Sequence, residues 1–140
     1  MHCAYKVDPR HELVLLRPTG RFAETDFIET CRAFYDHPDR EPAFAHVWDA
    51  RSIDELVMNV DVIALYREFL EENQERATEG PVAVITTRSM TETFATMFIQ
   101  VSGVQAATYL LCDSVEEAAE ELDVPLAALT AESGFHHVEP

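Results

Sequence analysis

Five short apolar segments, kept apart by stretches of helical period, constrain this chain more than any other feature of it. The first pair, Cys3 to Val7 and Leu13 to Arg17, flanks the turn-forming Asp8-Pro9-Arg10-His11 and predicts an antiparallel hairpin with Cys3, Tyr5 and Val7 on one side. Ala45 to Asp49, Val82 to Thr86 and Gln105 to Cys112 supply three more strands. The middle one is a continuous apolar run, which needs cover on both faces. Between the strands apolar residues recur at helical spacing: Phe27, Ile28, Cys31, Phe34 and Tyr35, then Val62, Leu65, Tyr66, Phe69 and Leu70. Phe94, Met97, Phe98 and Val101 form a third such face, and Val115, Ala118, Ala119 and Leu122 a fourth. The order β-β-α-β-α-β-α-β-α predicts an α/β fold with a mixed, largely parallel five-stranded sheet and right-handed crossovers.

The punctuation fits that order. Pro38 should stop the first helix, Asn59 or Asp61 should cap the second, and Gly80 with Pro81 should close it. Ser89 or Thr91 is expected to cap a third helix ending at Gly103, and Ser114 with Glu117 makes a capping box for the fourth. Pro125 suits the first turn of a last short helix carrying Leu126 and Leu129. In the third strand His46 and Trp48 should point one way and Val47 the other, and residues 49–57 read as a loop. With no internal repeat or linker, residues 3–132 read as a single domain and 133–140 as a loose tail.

Charge narrows the partners. Net charge is −16, and every Lys and Arg lies at or before Arg88, leaving nine acids and no Lys or Arg in residues 89–140. That field repels nucleic acid and anionic membrane, tolerates a basic partner, and also suits solubility or high salt. The twenty residues from Thr93 to Cys112 carry no charge, but Gln100, Ser102, Gly103 and Gln105 interrupt them where the period changes, so they predict a helix, a turn and a strand and no membrane span. Cys3, Cys31 and Cys112 are odd in number and form no C-x-x-C pair, and the first ten residues hold no signal-peptide core. Reduced thiols in a cytoplasmic protein are expected.

No catalytic constellation emerges. The six histidines make no H-x-x-x-H or H-E-x-x-H pattern, no G-x-S-x-G or phosphate-cradling glycine loop occurs, and 26 carboxylates guarantee accidental neighbours. Neither metal nor cofactor nor enzymatic activity is expected. In a parallel sheet, ligands favour the carboxyl ends of the strands, where loops meet helix amino termini. Arg51, Thr87, Arg88 and Ser89 fall there and could hold a small anion, although Ser89 as a cap and arginines paired with neighbouring carboxylates explain the same residues. A second ligand reading places an acyl chain in an apolar cavity between the second and third helices, lined by Tyr66, Phe69, Phe94, Met97 and Phe98, the competing role being core packing.

Several stretches carry a resemblance to a known family: Val7-Asp8-Pro9, residues Leu13 to Arg21, Val47-Trp48-Asp49-Ala50-Arg51, Val82-Ala83-Val84-Ile85-Thr86 and Ser114-Val115-Glu116-Glu117-Ala118. Over roughly residues 3 to 122 the chain resembles a STAS domain of the anti-sigma-factor antagonist type, and more closely the small bacterial STAS-like proteins of unassigned role. The resemblance implies a mixed sheet with helices mainly on one face and a non-catalytic, partner-binding role. In the antagonists a serine at the start of the second helix is phosphorylated, whereas this chain has Val57-Met58-Asn59-Val60-Asp61, so that switch is not inherited. Ser52 nearby reads as a turn hydroxyl. The exposed edge of an open sheet, with the extra carboxyl-terminal helix, adds the expectation of a homodimer.

Overall fold

Strand pairing begins with the hairpin, β1 (Cys3–Asp8) antiparallel to β2 (Leu13–Pro18), in a computed structural model that describes residues 3–57, 61–101 and 108–138, with side chains at all of these but 88, 94 and 97–101. β2 then runs parallel to β4 (Ala45–Asp49), β4 to β6 (Val82–Ile85), and β6 to β7 (Tyr109–Cys112). The order across the sheet is β7-β6-β4-β2-β1-β8, where β8 is His136–His137. Its parallel part follows from the helices between its strands, since a parallel pair needs a long crossover.

Alternation along β2 and β4 divides the interior in two. Val14, Leu16, Trp48, Val82 and Val84 face one way and pack on α1 (Glu24–Tyr35) and α2 (Asp61–Glu72), with Met90 of α3 (Arg88–Val101) against the same layer. Leu13, Leu15, Val47, Ala83 and Ile85 face the other way, onto α4 (Val115–Leu122) and α5 (Leu126–Leu129). The three longer helices thus share one face while two short ones cover the other. All four residues of β6 are buried, as its unbroken apolar run requires. His46 and Trp48 do point opposite to Val47.

Several expectations need correcting. The residues read as a loop hold β5 (Ile53–Val57), which pairs in parallel with β3 (Gly20–Ala23) as a separate two-stranded ribbon. Gly20 takes φ 67° to enter that ribbon, a conformation glycine adopts without a Cβ clash. The sheet has six strands and not five, because the segment expected to be a loose tail is tied down: His136 and His137 pair with Tyr5 and Ala4, and Val138 donates to the Cys3 carbonyl at 2.9 Å and is buried. The unpaired backbone groups along β1 explain this, since a short strand that covers them satisfies an exposed edge. Leu65, placed on the inner face, is 38% exposed at the border of the apolar stripe of α2. The cap of α3 is Thr87 rather than Ser89 or Thr91: its carbonyl accepts from Met90 and Thr91, each at 3.1 Å. The expected cap Asn59, the helix end at Gly103 and the strand start at 105–107 lie outside the described residues.

Local chemistry explains the best-formed ends. Ser114 Oγ accepts the Glu117 N–H at 3.1 Å, while the Glu117 carboxylate accepts the Asp113 N–H at 2.9 Å, one residue before the cap itself. Gly80 closes nothing, since α2 has already ended. It lies so close to the chain before β4 that a Cβ there would sit 2.5 Å from the carbonyl oxygens of both Ala43 and Phe44. Those atoms are backbone and cannot swing aside, so Gly80→Ala is expected to cost about 2 kcal/mol through displacement of the entry to β4. Urea unfolding of the variant measures it, and an unchanged midpoint would refute the close approach.

Candidate functional site

The loops at the carboxyl ends of the parallel strands carry the residues the sequence singled out. Register places Asp49 beside Ile85 and Ile85 beside Cys112, so the loops after β4, β6 and β7 leave the sheet at one level. The Arg51 fork is taken by Asp49: Nε donates to Oδ1 at 2.9 Å and Nη2 to Oδ2 at 2.7 Å. Burial opposes ionisation of Asp49, yet the Arg51 hydrogen bonds and the charges of Arg51 and Arg17 outweigh it and hold the carboxyl below its usual value. The hydrogen bonds that Arg51 donates to Asp49 likewise raise its own guanidinium, with the Glu116 charge adding to that field. Thr87 and Ser89 come together, hydroxyl to hydroxyl at 3.0 Å, at the start of α3. Arg88 opens that helix, and its side chain lies outside the described ones.

The second ligand reading concerns a cavity between α2 and α3. Tyr66 and Phe69 are buried instead against α1, Phe27 edge-on to Tyr66 at 5.3 Å and Tyr35 edge-on to Phe69 at 4.7 Å. These rings fill space against one another; Phe94, Met97 and Phe98 lie outside the described side chains.

The three thiols and the His46 imidazole are held in their neutral forms. Burial pushes the Cys3 thiol up to about 11, against lowering hydrogen bonds. It does the same to Cys112, where the acids Glu117, Glu121 and Asp113 add to it. Cys31 is raised by burial too, and a protonated thiol is a poor nucleophile. Burial and the nearby Arg40 charge drive His46 down to about 3, so it stays neutral. Among the described residues no three His, Cys, Asp or Glu side chains gather as a metal site.

Sequence reasoning missed a buried polar cluster beneath α1. Arg40 is 5% exposed; Nη1 donates to the Arg76 carbonyl at 2.6 Å, Nη2 to Thr78 Oγ1 at 2.8 Å, and Cζ lies 3.9 Å from the centre of the Tyr35 ring. Thr78 Oγ1 also meets the Tyr35 hydroxyl at 2.8 Å and His46 Nε2 at 3.3 Å. Flanked by Asp39 and Glu41, Arg40 reads as surface, and nothing local marks it as interior.

At the opposite end of the sheet, where β2, β4, β6 and β7 begin, lies a groove of about 470 Å³. His11 and Glu12 of the hairpin turn, Leu110 of β7, and Glu121, Leu122 and Val124 at the end of α4 line it. Glu121 belongs to α4, on which Glu116 and Glu120 are exposed as well, as is Asp123 just after it. No ion pair engages these carboxylates among the described residues.

No family model matches the chain, and no curated protein matches it. Among solved structures it is similar to an uncharacterised protein of the DUF3478 family, with a SpoIIAA-like fold, from Shewanella loihica PV-4. The TM-score is 0.57 at 13% identity, over 86% of this chain and 94% of that one. No helix among the described residues is long and apolar enough to cross a membrane. The parallel sheet with its opening hairpin and interleaved helices is thus a SpoIIAA-like fold, the STAS-like architecture whose resemblance the sequence carries.

Proposed function

We propose that this domain is a non-catalytic protein-interaction module that binds a partner through the acidic face of α4 and the adjoining groove. One contrast carries the reading: the three thiols and the His46 imidazole are buried in neutral form, while the solvent-facing carboxylates of α4 stand without ion pairs among the described residues. A protein surface of one sign steers and selects an oppositely charged partner. Binding does not depend on a phosphoserine at the start of α2, because Val57-Met58-Asn59-Val60-Asp61 offers no hydroxyl. The module works in the cytoplasm, in keeping with its three free cysteines, and pairs as a homodimer, which light scattering would test.

Affinity capture from native lysate tests the main reading. The wild-type chain should recover a partner reproducibly, and Glu116→Lys with Glu120→Lys should reduce recovery at least about tenfold, since like charge replaces attraction across the contact. Equal recovery by both proteins, or turnover of a small substrate by the wild type, would contradict it.

A further inference from the structure

We propose that the groove at the amino ends of the strands receives a lysine or arginine side chain from a basic segment of a protein partner. The inference rests on the interaction-module reading and names the chemistry of what the module binds. Leu110, Leu122 and Val124 line the groove and are only half-buried, so apolar surface stays open to an incoming group. Glu12, from the hairpin turn, and Glu121, from α4, are exposed and bring negative charge to it from two separate elements. Among the described residues no Lys or Arg lines it. His11 Nδ1 is 2.8 Å from Asp8 Oδ2, so its imidazole is already engaged within the hairpin turn.

The pairing of surfaces selects the occupant. A bare inorganic cation would leave the aliphatic wall uncovered, and a purely apolar side chain would leave the carboxylates without a partner. A long aliphatic stem ending in a cation meets both, as lysine and arginine do wherever they lay their methylenes along apolar surface and keep the charged head near water. The groove volume, about 470 Å³, exceeds what one such side chain needs and admits the flanking backbone as well.

Amide chemical shifts of the ¹⁵N-labelled full chain test the idea, with an acetylated Ala-Ala-Lys-Ala-Ala amide as probe and its norleucine counterpart as control. The lysine peptide should shift Leu13, Leu110, Leu122 and Val124 saturably, and the norleucine peptide should bind about two- to fivefold more weakly. Glu12→Gln with Glu121→Gln should weaken the lysine peptide by about the same factor, while Glu116→Gln with Glu120→Gln, outside the groove, should leave it unchanged. Shifts spread along the outer face of α4, equal binding of norleucine, or an unaffected double variant of the groove would overturn the proposal. So would partner capture that survives Glu12→Gln with Glu121→Gln yet fails on reversal of the α4 face, a result that leaves the interaction-module reading standing. Should no partner be captured at all, that reading alone falls, and the titration still decides the groove.

Discussion

Arg40→Ala should lower stability by about 3 kcal/mol, because it opens a cavity and orphans two buried acceptors together. The side chain lies under α1 with its stem and guanidinium over Tyr35, and it satisfies the Arg76 carbonyl and the Thr78 hydroxyl. Its Nε has no partner, and no carboxylate pairs with it among the described residues, although the chain holds 26 acids. Burial lowers the guanidinium's proton affinity, but an arginine stays charged, so the fold carries a desolvated cation compensated by dipoles and a ring face. Arg40→Met separates the contributions. It keeps the stem's volume and removes the desolvation cost, so it should lose no more than about 1.5 kcal/mol. Equal losses in the two variants, measured by urea unfolding, would show that the hydrogen bonds and not the packing matter.

Acid should weaken the same region through His46. Its folded value is about 3 against an ordinary 6.5, so between those limits the unfolded chain takes up a proton that the folded chain refuses. Stability from this group is therefore complete above 6.5 and is lost as pH falls from there toward 3. Between pH 7 and pH 5 the loss should be about 2 kcal/mol. His46→Gln can still reach Thr78 and has nothing to titrate, so it should lack that part of the pH dependence, while the other five histidines and all carboxylates contribute alike to both proteins. Matching profiles for wild type and variant would refute the buried neutral imidazole. Because the Arg40 charge also depresses His46, Arg40→Met should shift the acid transition of the wild-type histidine to higher pH.

What the sequence displayed was the part of the fold governed by hydrophobic period. β2, β4 and β6 announce themselves because both of their faces are buried, and α1 because Ile28, Cys31, Phe34 and Tyr35 recur on one side. β5 escaped notice because Asp54 and Glu55 break its apolar run; its pairing with β3 depends on register across the 29 intervening residues, 24–52. β8 escaped because His136-His137 carries no strand pattern at all and forms only to cover the backbone of β1. The sequence offers Arg51 as an anion holder or as the partner of a neighbouring carboxylate, and the geometry gives its fork to Asp49. The groove was not legible, because it exists only where the hairpin turn approaches the end of α4, a meeting of residues about a hundred positions apart.

Hydrogen exchange on the captured complex tests the binding face most directly. Protection should appear in residues 116–124 and in the hairpin turn at 11–13, with the loops at 49–53 and 86–89 exchanging as in the free chain. Protection confined to those loops, with α4 and the turn unaffected, would place the partner at the other end of the sheet and contradict the account.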